Sequence, residues 1–249
     1  MLKILKQRLK TLNSALSGPP KPEFPPDFDE DLIAIYRRVA PFTMTSKERI
    51  HALCSSVQYI SKHAIEGDIV ECGVWKGGSM MAAALSLLKL EQERKLWLFD
   101  TFDGMSEPTA ADVDIRGQSA GDRMAKDDKV DSAIWAYGAL DEVERNLKST
   151  SYPDRLITYV KGKVEDTIPA TVPEKIALLR LDTDWYESTH HELTHLYPRL
   201  SVGGVLIIDD YGHWVGARKA VDEYIAENDL KILLQRIDYT GRIAIKLEA

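Results

Sequence analysis

Two adjacent aspartates, Asp209 and Asp210, close the apolar run GGVLIIDD at residues 203–210. Neighbouring carboxylates repel, and one of them holds a proton unless a positive charge lies between them. The run reads as a buried strand, so both acids stand where a strand leaves the core, the edge at which open α/β sheets bind ligands. Asp182 ends another apolar run, residues 176–182, in the same way. Adjacent strands lie about 5 Å apart, so Asp182, Asp209 and Asp210 can converge on one point. Three hard oxygen donors, completed by water and a substrate oxygen, form a set suited to Mg²⁺. Asp184 stands by as a further ligand or supporting group. The competing reading is that Asp209 and Asp210 cap the helix that follows.

A second constellation lies earlier. Residues 71–79, ECGVWKGGS, run from the end of a strand through a glycine turn into a helix, the context that a nucleotide-binding turn needs. Gly73 allows close backbone approach, and the helix start around Ser79 offers free N–H groups to an anion. The spacing is not G-x-G-x-x-G, which weakens a nicotinamide reading. Glu71, an acid just before the first glycine, suits S-adenosylmethionine better, because a carboxylate there helps to hold the cationic amino-acid end. Asp100 closes the strand LWLFD (96–100), where an acid can accept both ribose hydroxyls of any adenosine cofactor. Phe102 is either an adenine contact or core. His190, His191 and His195 fall on one helix without zinc-ligand spacing. His213 is the histidine placed to reach a substrate. Neither a Ser-His-Asp arrangement nor a P-loop is legible.

The elements that must position these groups alternate. Strands are expected at residues 69–72, 96–100, 156–160, 176–182 and 203–210, with helices at 45–60, 80–90, 132–148, 188–199 and 216–228. This order implies a parallel sheet covered on both faces. Two closing runs, 230–237 and 242–247, are separated by the four residues Asp238–Gly241 and predict an antiparallel hairpin. Thr45-Ser46-Lys47-Glu48 carries a capping hydroxyl and a first-turn acid for the first of these helices. The expected domain therefore spans 45–249. Residues 1–44 form an N-terminal arm, with Leu2, Leu5, Leu9 and Leu12 on one side of a short basic helix, and a connector with five prolines between 19 and 26. Residues 103–131 form a polar insertion with eight acids against four bases, long enough to be a lid.

The totals narrow the class. The 249 residues are 44% hydrophobic and 29% charged with net charge −7. That balance lacks the clustered positive surface a nucleic-acid binder needs, and no apolar run is long enough to span a membrane. Lys3, Lys6, Arg8 and Lys10 interrupt any secretory h-region. The two cysteines, Cys54 and Cys72, fit neither a zinc site nor a disulfide framework, which predicts a reducing cytoplasm.

The segments FTMTSKERIHAL, GDIVECGVWKGGSMMAAAL, LFDTFDGM, VKGKVEDTIP and the long run from LLRLDTDWYE to RKAVDEY, spread over about residues 40–228, resemble the macrocin O-methyltransferase family. The resemblance implies a Rossmann-like class I methyltransferase fold, α/β, with a mainly parallel seven-stranded sheet that ends in an antiparallel hairpin. It further implies S-adenosylmethionine as donor, Mg²⁺ as cofactor, a deoxysugar hydroxyl of a natural product as acceptor, and a homo-oligomer. Asp182 corresponds to the acid that ligates the metal and serves as base, and Asp209 and Asp210 complete the metal site. Trp185 stands where catechol-type methyltransferases carry a catalytic lysine, which counts against catechol-like acceptors. The rival readings are an NAD-dependent oxidoreductase, a non-catalytic metal-stabilised binding protein and a metal-dependent phosphate-ester hydrolase.

Overall fold

The computed structural model describes residues 23–130 and 132–248; the basic Leu-rich segment 1–12 lies outside them. Seven strands form one sheet in the order β3-β2-β1-β4-β5-β7-β6. They are β1 (Asp68–Cys72), β2 (Leu96–Asp100), β3 (Ile157–Lys161), β4 (Ile176–Leu181), β5 (Leu200–Ile208), β6 (Gln235–Arg236) and β7 (Arg242–Ile245). The first five pair in parallel, β7 runs antiparallel to β5, and β6 closes the hairpin on β7. The strand order reverses between β1 and β4, and that is the crevice where ligands settle in such sheets.

Helices cover both faces, so the central strands are buried on both sides and read as continuous apolar runs. All six residues of β4 are buried. Ile69, Leu98, Leu178 and Ile207 face α1 (Glu30–Val39), α2 (Lys47–Lys62), α3 (Gly78–Lys89) and α5 (Leu140–Ser149). Val70, Phe99, Leu179 and Ile208 pack on the other side with α6 (Val164–Thr167), α7 (Tyr186–Leu196) and α8 (Val215–Glu227).

Helix α1 falls in the stretch read from the sequence as linker. Asp29 caps it through a 2.7 Å bond from Leu32 N–H, Glu30 and Asp31 occupy its first turn, and Leu32 and Val39 enter the core. The prolines obscure a start signal that ends only three residues after Pro26. The helix expected over 132–148 begins instead at Leu140. Gly138 lies so close to the glycine turn that a Cβ there would stand 2.2 Å from the Trp75 carbonyl oxygen, and the chain reaches that contact through turns.

The insertion is folded. It carries the short α4 (Ala120–Met124). Buried Asp112 accepts the Tyr186 N–H at 2.8 Å, capping α7, and the Thr109 N–H at 2.7 Å. Backbone bonds from Ile115 N to His213 O (3.0 Å) and from Val215 N to Val113 O (2.9 Å) fasten it beside the segment that follows β5. Among the described residues, no helix is long and apolar enough to cross a membrane.

Candidate active site

Two clefts open at the carboxyl ends of the strands. One is lined by Gly73, Asp100, Phe99, Met105 and Val164 and extends to Asp182 and Asp184. The other is lined by Arg49, Asp182, Asp184, Asp210, His213 and Tyr239. Met44, Trp75, Asp182 and Asp184 border both, so the clefts meet at the acids.

Gly73, just past the end of β1, has φ +82°, and a Cβ would fall 1.9 Å from the Asp182 carbonyl oxygen. Only glycine fits such an approach. Asp100 Oδ2 accepts N–H bonds from Val74 (2.6 Å) and Trp75 (3.1 Å), and Oδ1 accepts one from Phe102 (2.7 Å). Thr101 Oγ1 stands 3.4 Å from Oδ1 but closer, at 2.6 Å, to Gly104 O, and burial raises the Asp100 pKa against these hydrogen bonds. A carboxylate has about four acceptor sites, so Asp100 has room for at most one more donor rather than the two of a bidentate ribose grip.

The other expected cofactor contacts fall elsewhere. Phe102 is buried in the core against Tyr159, with ring centroids 6.4 Å apart. Ser79 lines the acid-bearing cleft and not the one that Asp100 lines. Glu71 is buried under the sheet edge, with Oε1 2.6 Å from Arg180 Nη1 and Oε2 without a partner. Burial pushes its pKa up to about 8, although Arg180 opposes this.

Asp182, Asp184 and Asp210 each bring one carboxylate oxygen to within 4.8 Å of the other two. Asp209 does not join them. Its N–H continues the ladder to Leu181 O at 2.9 Å, so strand alternation turns its side chain to the face of Ile207 and Arg180. There its two oxygens are taken by Arg180 and Arg49. The third member is instead Asp184, whose φ of +65° is a conformation that Asp tolerates better than most residues.

Burial raises the Asp184 pKa to about 7, with repulsion from Asp182 adding to it, and Asp210 is raised by burial and by Asp184 and Asp182. Crowded, half-buried carboxylates of this kind hold either protons or a cation. The hard oxygen set fits Mg²⁺.

The linkage has a definite sign. An acid whose folded pKa exceeds its unfolded value makes the fold lose stability as pH rises from the unfolded value to the folded one, here from 3.8 to about 7. With chelator present, thermal melts at about pH 5 and about pH 7.5 are therefore expected to show a smaller pH-dependent loss for Asp184→Asn than for the wild type. Mg²⁺ at the higher pH is expected to raise the wild-type Tm. Identical losses in the two proteins would contradict the crowding.

Beneath the acids lies a group that sequence reasoning left without a role. Arg180 is fully buried in β4, and it reaches Glu71, Asp182 (2.7 Å), Thr45 Oγ1 (2.9 Å) and Asp209. Burial disfavours its charge, but Asp182 and Glu71 outweigh burial and hold it protonated. Arg49 of α2 adds a second guanidinium, 3.0 Å from Asp238. The available signal was an arginine inside an apolar strand, since a buried charge demands partners.

Relatives of known activity share this architecture. The demethyldecarbamoylnovobiocin O-methyltransferase of Streptomyces niveus is 35% identical over 201 residues, 80% of this chain and 73% of its own length. The mycinamicin III 3''-O-methyltransferase of Micromonospora griseorubida is 32% identical over 200 residues, 80% of this chain and 76% of its own. The solved structure of the O-methyltransferase NovP superposes with a TM-score of 0.73 at 31% identity, covering 83% of each chain. The description Macrocin-O-methyltransferase (TylF) matches residues 29–245. With the strand order, the acid-bearing strand ends and these matches agreeing, the chain belongs to the macrocin-O-methyltransferase family of O-methyltransferases.

Proposed function

We propose that this O-methyltransferase transfers the methyl group of S-adenosylmethionine to a hydroxyl of a sugar, with Mg²⁺ held by Asp182, Asp184 and Asp210. The observation that carries the reading is the meeting of the two clefts at Asp182 and Asp184. A donor in the Gly73–Asp100 cleft and an acceptor in the other come together at these acids, and such alignment supplies much of the acceleration in a displacement. The sugar class is supported by a further relative, the 8-demethyl-8-(2,3-dimethoxy-alpha-L-rhamnosyl)-tetracenomycin-C 4'-O-methyltransferase of Streptomyces olivaceus, whose name carries a rhamnosyl group.

S-adenosylmethionine supplies an electrophilic methyl, and Mg²⁺ lowers the pKa of a nearby hydroxyl. The chain supplies the rest. Gly73 lets the donor approach the backbone, Asp100 accepts a ribose hydroxyl, and Phe99, Met105 and Val164 provide apolar walls. The proton of the acceptor hydroxyl passes to a carboxylate oxygen. Asp182 is the base expected from the sequence, but Arg180 ties down its Oδ2. Asp184, which borders both clefts and is not among the partners of Arg180, takes the proton in this reading and, with Asp182 and Asp210, holds the cation.

Calorimetric titration with S-adenosylmethionine, with Mg²⁺ present and NAD as control, tests the donor. Heat with S-adenosylmethionine alone is expected. Heat with NAD alone would overturn the reading and return the chain to the oxidoreductase alternative.

A further inference from the structure

The cleft that holds the acids continues outward. His213 and Tyr239 line both it and a second concavity formed with Arg116, Gln118 and Arg123 of the insertion. We propose that this outer concavity is an anion subsite, and that the acceptor is a sugar bearing a phosphate or diphosphate at the end remote from the methylated hydroxyl. The inference rests on the acceptor cleft assigned above and adds the chemistry of its far end.

The insertion is held so that its arginines face this way. The bridge between Asp114 and Trp214 and the bond from Ile115 N to His213 O place Arg116 beside His213, three residues beyond Asp210. Arg123 lies over the Trp214 ring at 5.9 Å, and Trp214 is itself buried against Trp185. One carboxylate accompanies the two guanidiniums. Asp114 Oδ1 already accepts the Arg116 N–H (2.8 Å) and the Gln118 N–H (3.0 Å), and its Oδ2 stands 3.9 Å from Arg123 Nη1. That pair is loose, and the Arg116 guanidinium has no ion pair among the described residues.

Polarity therefore reverses along one continuous groove. The inner end carries three carboxylates suited to a cation and a hydroxyl. The outer end carries two arginine forks, whose planar donors match phosphate oxygens. Tyr239, 55% exposed, lines both ends. A neutral glycoside would use the inner end and leave both arginines unmatched. A sugar phosphate or nucleoside diphosphate sugar engages both ends.

The test titrates the full chain, saturated with S-adenosylhomocysteine, with uridine diphosphate, thymidine diphosphate and inorganic pyrophosphate. Arg116→Ala, Arg116→Glu and Arg123→Gln are measured in parallel. Diphosphate binding that weakens at least about tenfold, roughly 1.4 kcal/mol, in each variant while S-adenosylhomocysteine still binds as in the wild type is the expected result. Tighter binding of the nucleotides than of pyrophosphate assigns the anion to a nucleotide-linked sugar, and equal binding assigns it to a simple sugar phosphate. Diphosphate binding that all three variants leave unchanged overturns the subsite, as does no diphosphate binding by a protein that binds S-adenosylhomocysteine. Failure to bind S-adenosylhomocysteine at all would remove the donor assignment, and the subsite with it.

Discussion

Replacing Asp184 with Asn is expected to lower kcat by about 10²–10⁴-fold, the usual worth of a positioned base, with S-adenosylmethionine affinity changed only a few-fold. The donor cleft owes its shape to Gly73, Asp100 and the walls around them, and Asp184 stands at its border. The amide keeps an oxygen that a cation can use but accepts no proton. Asp182→Asn is expected to be as inactive for a different reason. The amide keeps one oxygen and removes the negative charge that both a cation and Arg180 require, so Mg²⁺ affinity should fall along with turnover. Calorimetry with Mg²⁺ separates the roles and should show the larger loss for Asp182→Asn. Near-normal kcat in Asp184→Asn with a dead Asp182→Asn would return the base role to Asp182.

The largest expected effect on stability comes from Arg180→Met. Methionine fills much of the volume, but Glu71 is then left buried without its guanidinium and Asp209 keeps only Arg49. Removing one partner from a buried ionic group costs roughly 3–5 kcal/mol, a large share of the ordinary 5–15 kcal/mol of a folded domain. For a chain of this size each kcal/mol lowers Tm by about 2–4 °C, so a fall on the order of 10 °C is expected in thermal melts. Adding Glu71→Gln to Arg180→Met should recover part of the loss, because it removes the stranded carboxyl. A double variant no more stable than Arg180→Met would show that Glu71 is already neutral. A single variant within about 1 kcal/mol of the wild type would contradict the network.

The strands were legible because a parallel sheet covered on both faces demands unbroken apolar runs, and an acid at the end of such a run stands out. Asp100, Asp182 and Asp210, which line the clefts, stood out in that way. What the pattern does not carry is side-chain direction beyond the strand. Asp209 and Asp210 look equivalent in a string of letters, yet alternation sends the first to Arg180 and Arg49 and leaves the second for the cluster. The promotion of Asp184 depends on a left-handed backbone angle that no periodicity announces. Phe102 followed the commoner fate of an aromatic beside a strand and joined the core. Arg49 was out of reach for another reason, because its partners Asp209 and Asp238 lie 160 and 189 residues further along.

That long separation gives the β6–β7 hairpin a role in time as well as in space. Its turn carries Asp238, which accepts from Ser46 Oγ (2.6 Å) and from Arg49, and Tyr239 and Thr240, which wall the acid cleft. Helix α2 is translated early and the hairpin late, and closing so long a loop is slow. A chain still emerging from the ribosome can complete β1, β2 and the glycine turn while the acid cleft lacks one wall. The cleft at Gly73 and Asp100 is therefore lined before the acid cleft, whose last wall has to wait for the hairpin to dock.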